Sequence, residues 1–505
     1  MKWNNDIIIG FACLLKIGLH LLADIHSGFQ GDELLHIDAG NHLAFGFMEF
    51  PPLIGVFAYL QNLTGSTSVI VHHLFSHLAS MAIFILAGKI TLELGGKTKA
   101  LLLVMTFLLA APAFTRTHQL FQPVVFSQFF WLLGFILFVR FVKTLNKKYL
   151  LLLALTLAAG FLNKYDILFF VAGLISLLFF KRTRNGILGR ETIIYPVLFI
   201  LLISPNIIWQ IINDFPVLHH MKELYKAQLN DQSATKGLLN LFIQLNPFAI
   251  GIYTAGFVYA VIFKKDEHNH IVSLSILISI LLLAVSKGKH YYFFPALICL
   301  VILGSVWLEI KVFNKRNWLY CAQIILLVIG GAVMLPYGMT ILKLDRFIKY
   351  AHIKNEENHY PLPFEEFYSQ YQWRKVLSSV KRIYDDLHLE DKKNCVIWGK
   401  HYKQAGAVNL FSEEYNVPKA ISYHGSYYQW APNDGNLPGT LIAISNKGVP
   451  KEYWEYFFST VEVTDTILNP YADESEDELT TIYICREPKT NYAGLKDIFR
   501  NRIFE

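Results

Sequence analysis

The 505-residue chain gathers Asp32, Glu33, His36, Asp38, His42 and Glu49 into one short stretch, GDELLHIDAGNHLAFGFMEF (31–50), and carries no Lys or Arg between Gly31 and Leu60. Adjacent carboxylates without a basic partner repel each other until a metal, a cation or a hydroxyl donor satisfies them. A carboxylate so placed can take a proton from an acceptor hydroxyl. Asp32, Glu33 and His36 lie at helical spacing and can share one face, which makes Asp32 and Glu33 the candidate catalytic pair. The plainer alternative is a pair of solvated loop acids. His36, Asp38 and His42 add groups that divalent ions accept, but His36 and His42 are six residues apart and fall on different helix faces. Any divalent metal is therefore expected, if at all, on Asp32 and Glu33.

A second group is cationic. SKGKHYY (286–292) sets Lys287, Lys289, His290 and Tyr291 between two apolar runs. Ammonium groups neutralise a phosphate or pyrophosphate while tyrosines donate hydrogen bonds to it; the alternative is an interfacial anchor of snorkelling lysines and belt tyrosines. Lys164 and Tyr165 in NKYD (163–166) carry the same two readings, with Asp166 as a possible partner for the lysine. Arg116, His118, Gln119, Gln122 and Gln128 surround a short connection at 115–122. They either line a hydrophilic cavity, with His36 and His42 as further acceptor-side candidates, or cap helices and satisfy one another.

Whatever positions these groups is apolar. The composition is 53% hydrophobic and 17% charged, with a mean hydropathy of +0.36, against about 25% charged residues in soluble domains. The net charge of +6 falls in short clusters between apolar runs, a membrane-topology pattern and not a nucleic-acid surface. Eleven runs approach the length of a bilayer core: 6–24, 68–88, 100–114, 123–142, 149–162, 167–180, 192–209, 238–262, 271–286, 291–310 and 318–337. The connections at 88–99, 140–148, 181–190, 264–270 and 311–317 are basic and share one side, which the positive-inside rule makes cytoplasmic. The acidic stretch, the loops at 115–122, 210–237 and 286–290, and everything past Tyr337 are then outside. The run 6–24 lacks a cleavage site and reads as a retained first span. LIGVFAYLQNL after Pro51-Pro52 is too short to span and suits the interface, and 210–237 reads as a surface helix.

Past residue 340 the chain turns polar. Short apolar runs at 395–398, 440–445 and 480–485 alternate with helical patterns at 364–389 and 403–415, which predicts a small α/β domain over 341–505 behind a membrane domain over 1–340. The loop YHGSYYQW (423–430) has the polar–aromatic character of carbohydrate-stacking surfaces, with an ordinary loop as the commoner reading of such a stretch. Of the five cysteines only Cys395 and Cys485 could meet as a disulfide.

The order of GDELLHIDAGNHLAFG with FPPL, then QPVVFSQFFW, LNKYDILFF, SPNIIWQIINDFP and KGKHYYFFPAL, resembles the bacterial glycosyltransferases of GT-C architecture related to protein O-mannosyltransferases and to the lipid A aminoarabinose transferase. The resemblance spans about residues 6–340. It implies a polytopic helical membrane protein in the inner membrane, with an extracytoplasmic C-terminal α/β domain. It further implies transfer of a sugar from a polyprenyl-phosphate donor to a lipid, glycan or protein acceptor, with inversion. By position, Asp32 and Glu33 look like the family's acidic pair, and Lys164, Tyr165, Lys287, Lys289, His290 and Tyr291 fall near the donor phosphate. The chain departs from relatives that carry an acidic residue near Gln122-Pro123, and it has Glu49-Phe50 where some lipid A transferases place a Lys before Pro-Pro. Two other classes stay open on the residues alone: a transporter or flippase of lipid-linked sugars, which should show inverted repeats, and a binding module on a membrane anchor.

Overall fold

The computed structural model describes residues 4–226, 234–262, 267–286, 289–355 and 359–500. It forms two compact units. The first comprises Met1–Leu22, Phe50–Leu53 and His73–Ile341, the second Ala23–Glu49, Ile54–His72 and Leu342–Glu505.

The first unit is helical. Among the described residues seven helices are long and apolar enough to cross a membrane: Asn5–Asp24, Leu74–Glu93, Pro123–Thr144, Arg190–Ile212, Glu267–Val285, His290–Phe313 and Asn317–Gly338. Four shorter apolar helices, Thr98–Ala110, Lys148–Asn163, Ile167–Leu178 and Pro247–Ile262, match the remaining expected runs. Apolar side chains such as Ile194, Ile200, Leu201, Ile325, Ile329 and Val333 stay exposed, as a lipid-facing surface requires. This is a multi-pass membrane protein.

Two segments differ from expectation. The second run starts its long helix at Leu74, not at 68, and continues through Lys89 to Glu93, whose carboxylate takes Arg140 Nε at 2.9 Å and Nη2 at 2.5 Å. A run that looked basic at its end is thus extended by an ion pair. The run 238–262 is broken: helix Ala234–Gln244 stops before Asn246 and Pro247, because proline lacks the N–H an interior position needs. Asn246, at φ +66°, bonds the carbonyls of Ala110 and Leu327, each at 3.1 Å. The polar interruption NKYD separates two helices, Lys148–Asn163 and Ile167–Gly173.

The second unit contains a five-stranded sheet of order β2-β1-β3-β5-β4, with β1 Val396–Gly399, β2 Ala420–Ile421, β3 Thr440–Asn446, β4 Phe458–Leu468 and β5 Leu479–Pro488. β1 runs parallel to β2 and β3, while β5 is antiparallel to β3 and β4. The expected strands are β1, β3 and β5; β4 was not expected, since its outward Glu462, Thr464 and Thr466 break up any apolar run. Trp398, Tyr423, Trp454, Phe457 and Phe499 form the core on one face. Helix Ser369–Asp386 buries Trp373, Val376, Leu377, Val380 and Ile383 at i, i+3, i+4 spacing. All five cysteines are free thiols.

The acidic stretch belongs to this unit. It forms a helix, Gly31–Ala39, packed against helix Tyr402–Tyr415, and the approach is close: a Cβ on Gly406 would lie 2.9 Å from that of Leu34. A division at 340/341 therefore leaves out two early segments that fold with the C-terminal chain.

Candidate active site

The acidic helix starts at a cap. Gln30 N–H donates to Glu33 Oε2 at 2.9 Å, one half of a capping box, and Glu33 is fully buried. Its carboxylate serves the start of its own helix. Asp32, in the same first turn, is exposed, and its Oδ1 accepts a hydrogen bond from the Tyr402 hydroxyl at 2.6 Å. Burial first, then the charge of Asp32 and of the nearby Glu49 and Glu365, pushes the Tyr402 phenol well up, so it stays a donor. The expected common face does not form, since His36 and Glu33 are buried and Asp32 is not; helix Tyr402–Tyr415 meets the acidic helix at Gly31, Asp32, Leu34 and Asp38.

Around this point lie further acids. Gly31 N–H donates to Glu365 Oε2 at 2.8 Å, and burial raises the Glu365 carboxyl to about 7 against the opposing pull of Lys403, which is itself ion-paired to Asp477. Glu49 accepts from Ser426 N–H at 2.8 Å and from the Ser426 hydroxyl, and burial raises it to about 7. Asp38 is buried and held on three sides, by Asn41 at 2.9 Å, Asn409 at 2.7 Å and the Tyr427 hydroxyl, and so joins three elements. His42 stacks on Trp430 with ring centroids 4.4 Å apart and planes 8° from parallel. Among the described residues, neither Asp32 nor Glu33 belongs to a group of three His, Cys, Asp or Glu side chains close enough to share an ion.

The cationic group sits in the first unit. Lys164, at the junction of its two helices, places Nζ over the rings of Tyr291 and Tyr292, 4.5 and 4.2 Å from their centroids, and 3.8 Å from Asp166 Oδ2. Cation–π contacts of this length hold an ammonium without neutralising it. Asp166 accepts from Ser127 Oγ at 2.9 Å on both oxygens. Tyr165 donates to Asn206 Oδ1 at 2.9 Å and accepts from Gln210 at 3.3 Å. Lys289 Nζ lies 6.0 Å from the Tyr291 ring, and His290 packs edge-on to Tyr291 and Phe294, near enough to Arg116 to feel its charge. Lys287 lies outside the described residues. Gln122 is the extended residue at the start of helix Pro123–Thr144. His118 and Gln128 bond each other at 2.7 Å, and Gln128 bonds Thr117 at 3.1 Å, the mutual satisfaction that sequence left as one of two readings.

Sequence reasoning missed Tyr402, Glu365, Lys403, Asn409 and Ser127, while Ser426 and Tyr427 lie in the aromatic loop 423–430 that it singled out. Nothing near Tyr402 or Glu365 marks them out.

Residues 50–209 match the family of dolichyl-phosphate-mannose-protein mannosyltransferases, and no individual curated protein matches the chain. That match lies within the N-terminal half of the chain. Among solved structures the chain is similar to ArnT from Cupriavidus metallidurans in the apo state, with a TM-score of 0.61, 11% identity, and 95% of this chain and 97% of that chain covered. The structure of the same protein bound to undecaprenyl phosphate superposes with a TM-score of 0.59 over the same shares, also at 11% identity. At that identity the likeness is one of fold.

Proposed function

We propose that the chain is an integral-membrane glycosyltransferase that moves a sugar from a polyprenyl-phosphate carrier to an acceptor hydroxyl, with inversion, on the outer face of the cytoplasmic membrane. The family match over 50–209 and the fold shared with a protein solved with undecaprenyl phosphate support the donor class. The observation that carries the assignment of roles is Asp32: exposed, with one carboxylate oxygen held by Tyr402 and the other at liberty to take a proton. In this reading the acceptor hydroxyl gives its proton to Asp32, the oxygen forms its bond to the anomeric carbon, and the bond from that carbon to the phosphate oxygen breaks. The phosphate leaves with the electron pair, and Lys164, with Lys289 and the tyrosines beside it, neutralises it. Glu33 serves as the helix cap. Eleven spans would leave residues 341–505 outside the cytoplasm. The sugar is a hexose or a pentose and the acceptor a lipid, glycan or protein.

The test is incubation of the purified protein with a panel of radiolabelled polyprenyl-phosphate sugars, with and without EDTA, followed by separation of labelled carrier from labelled product. Transfer that disappears in Asp32→Asn supports the reading. Full transfer in that variant, or movement of intact carrier between leaflets without bond cleavage, overturns it.

A further inference from the structure

The sheet of the second unit has a switch point. From β1 the chain passes through helix Tyr402–Tyr415 to β2 on one side, then returns to β3 on the other side of β1. In open α/β sheets the crevice outside the carboxyl ends of such strands is where ligands are met. His401 and Tyr402 follow directly on β1, and His424 follows β2. Their three rings form one cluster: His401 to Tyr402 at 4.1 Å, His401 to His424 at 4.2 Å and Tyr402 to His424 at 5.1 Å between centroids. His401 is anchored as the helix cap, its Nδ1 accepting from Lys403 N–H at 3.3 Å while its own N–H donates to Gln404 Oε1 at 3.0 Å. The Tyr402 ring is thus fixed from two sides, and its hydroxyl is aimed at Asp32, which the acidic helix brings to the same edge.

We propose that Tyr402 is a positioning residue for the reaction: it holds Asp32 Oδ1 so that Oδ2 is presented to the acceptor hydroxyl, and the switch point of the C-terminal sheet supplies that support. The inference rests on Asp32 being the base. A phenol donating to one oxygen of a carboxylate fixes its plane, much as an orienting group fixes the base of a catalytic pair. The titratable and charged groups that meet at Asp32 are Tyr402 from its helix, Glu49 from the following loop, and Glu365 ahead of helix Ser369–Asp386, with Lys403 and Asp477 beside Glu365.

The experiment uses the full-length protein in detergent and whichever undecaprenyl-phosphate sugar turns over. Tyr402→Phe is expected to lower kcat roughly tenfold with the donor KM unchanged. His424→Leu, which loosens the ring without removing the hydroxyl, should lower kcat by less, again at unchanged KM, and serves if Tyr402→Phe does not accumulate. An unchanged kcat in a folded variant overturns the role of Tyr402. Full transfer by Asp32→Asn overturns the reading of Asp32 as base instead, so the two failures are told apart.

Discussion

Glu49 accepts two hydrogen bonds from Ser426, one from its backbone N–H at 2.8 Å and one from its hydroxyl, across 377 residues of sequence. Burial still dominates those bonds and holds the carboxyl at about 7, against an ordinary 4.5. A raised carboxyl binds its proton more tightly folded than unfolded, so it lowers stability as pH climbs from about 4.5 through 7. Glu365, also at about 7, acts in the same window. Glu49→Gln is expected to raise the unfolding temperature, relative to the parent protein, by more at pH 8.5 than at pH 5.5. Equal pH dependence in the variant would show that Glu49 ionises freely.

Gly425 makes that arrangement possible. Its φ is +58°, and a Cβ there would lie 1.9 Å from Glu49 Oε1. Gly425→Ala should cost about 1–3 kcal/mol, from the left-handed backbone and the displaced carboxylate together, measured by chemical unfolding of the solubilised protein.

Asp32 and Glu33 should separate on mutation although they are neighbours. Asp32→Asn is expected to reduce transfer by two orders of magnitude or more, in the range of a lost general base. Glu33→Gln keeps a capping side chain and should leave transfer within about threefold, whereas Glu33→Ala should cost about 1 kcal/mol of stability. Loss of transfer in folded Glu33→Gln would return Glu33 to the chemistry.

Lys164 provides a measurement that needs no sugar. Lys164→Met should weaken binding of undecaprenyl phosphate by about tenfold to a hundredfold, the range for a hydrogen bond to a charged group, read by calorimetry in detergent. Unchanged affinity would mean that Lys164 only neutralises Asp166.

Much of the membrane unit is legible in the chain because a run of apolar residues long enough to span has few other uses in water, and seven of the expected runs are long apolar helices among the described residues. Boundaries were less legible. The helix ending at Glu93 extends past Lys89 through a pairing with Arg140 that no local pattern announces, and the break at Asn246 depends on carbonyls from two other helices. At the site, the acidic stretch and Lys164 stood out by type and setting. The different settings of Asp32, exposed, and Glu33, buried in a capping box, did not, since the two acids look alike in a string. Tyr402 was invisible for a simpler reason: the hydrogen bond to Asp32 joins residues 370 apart.

That separation bears on how the protein is made. At about 5–20 residues per second of synthesis, the helix Gly31–Ala39 is finished roughly 20–70 seconds before Tyr402 exists to meet it. Through that interval Leu34, Leu35 and Ile37, all buried in the finished fold, have no partner from the Tyr402–Tyr415 helix. Whatever shelters them then, be it membrane surface or chaperone, is a requirement of assembly set by one early helix that completes itself late.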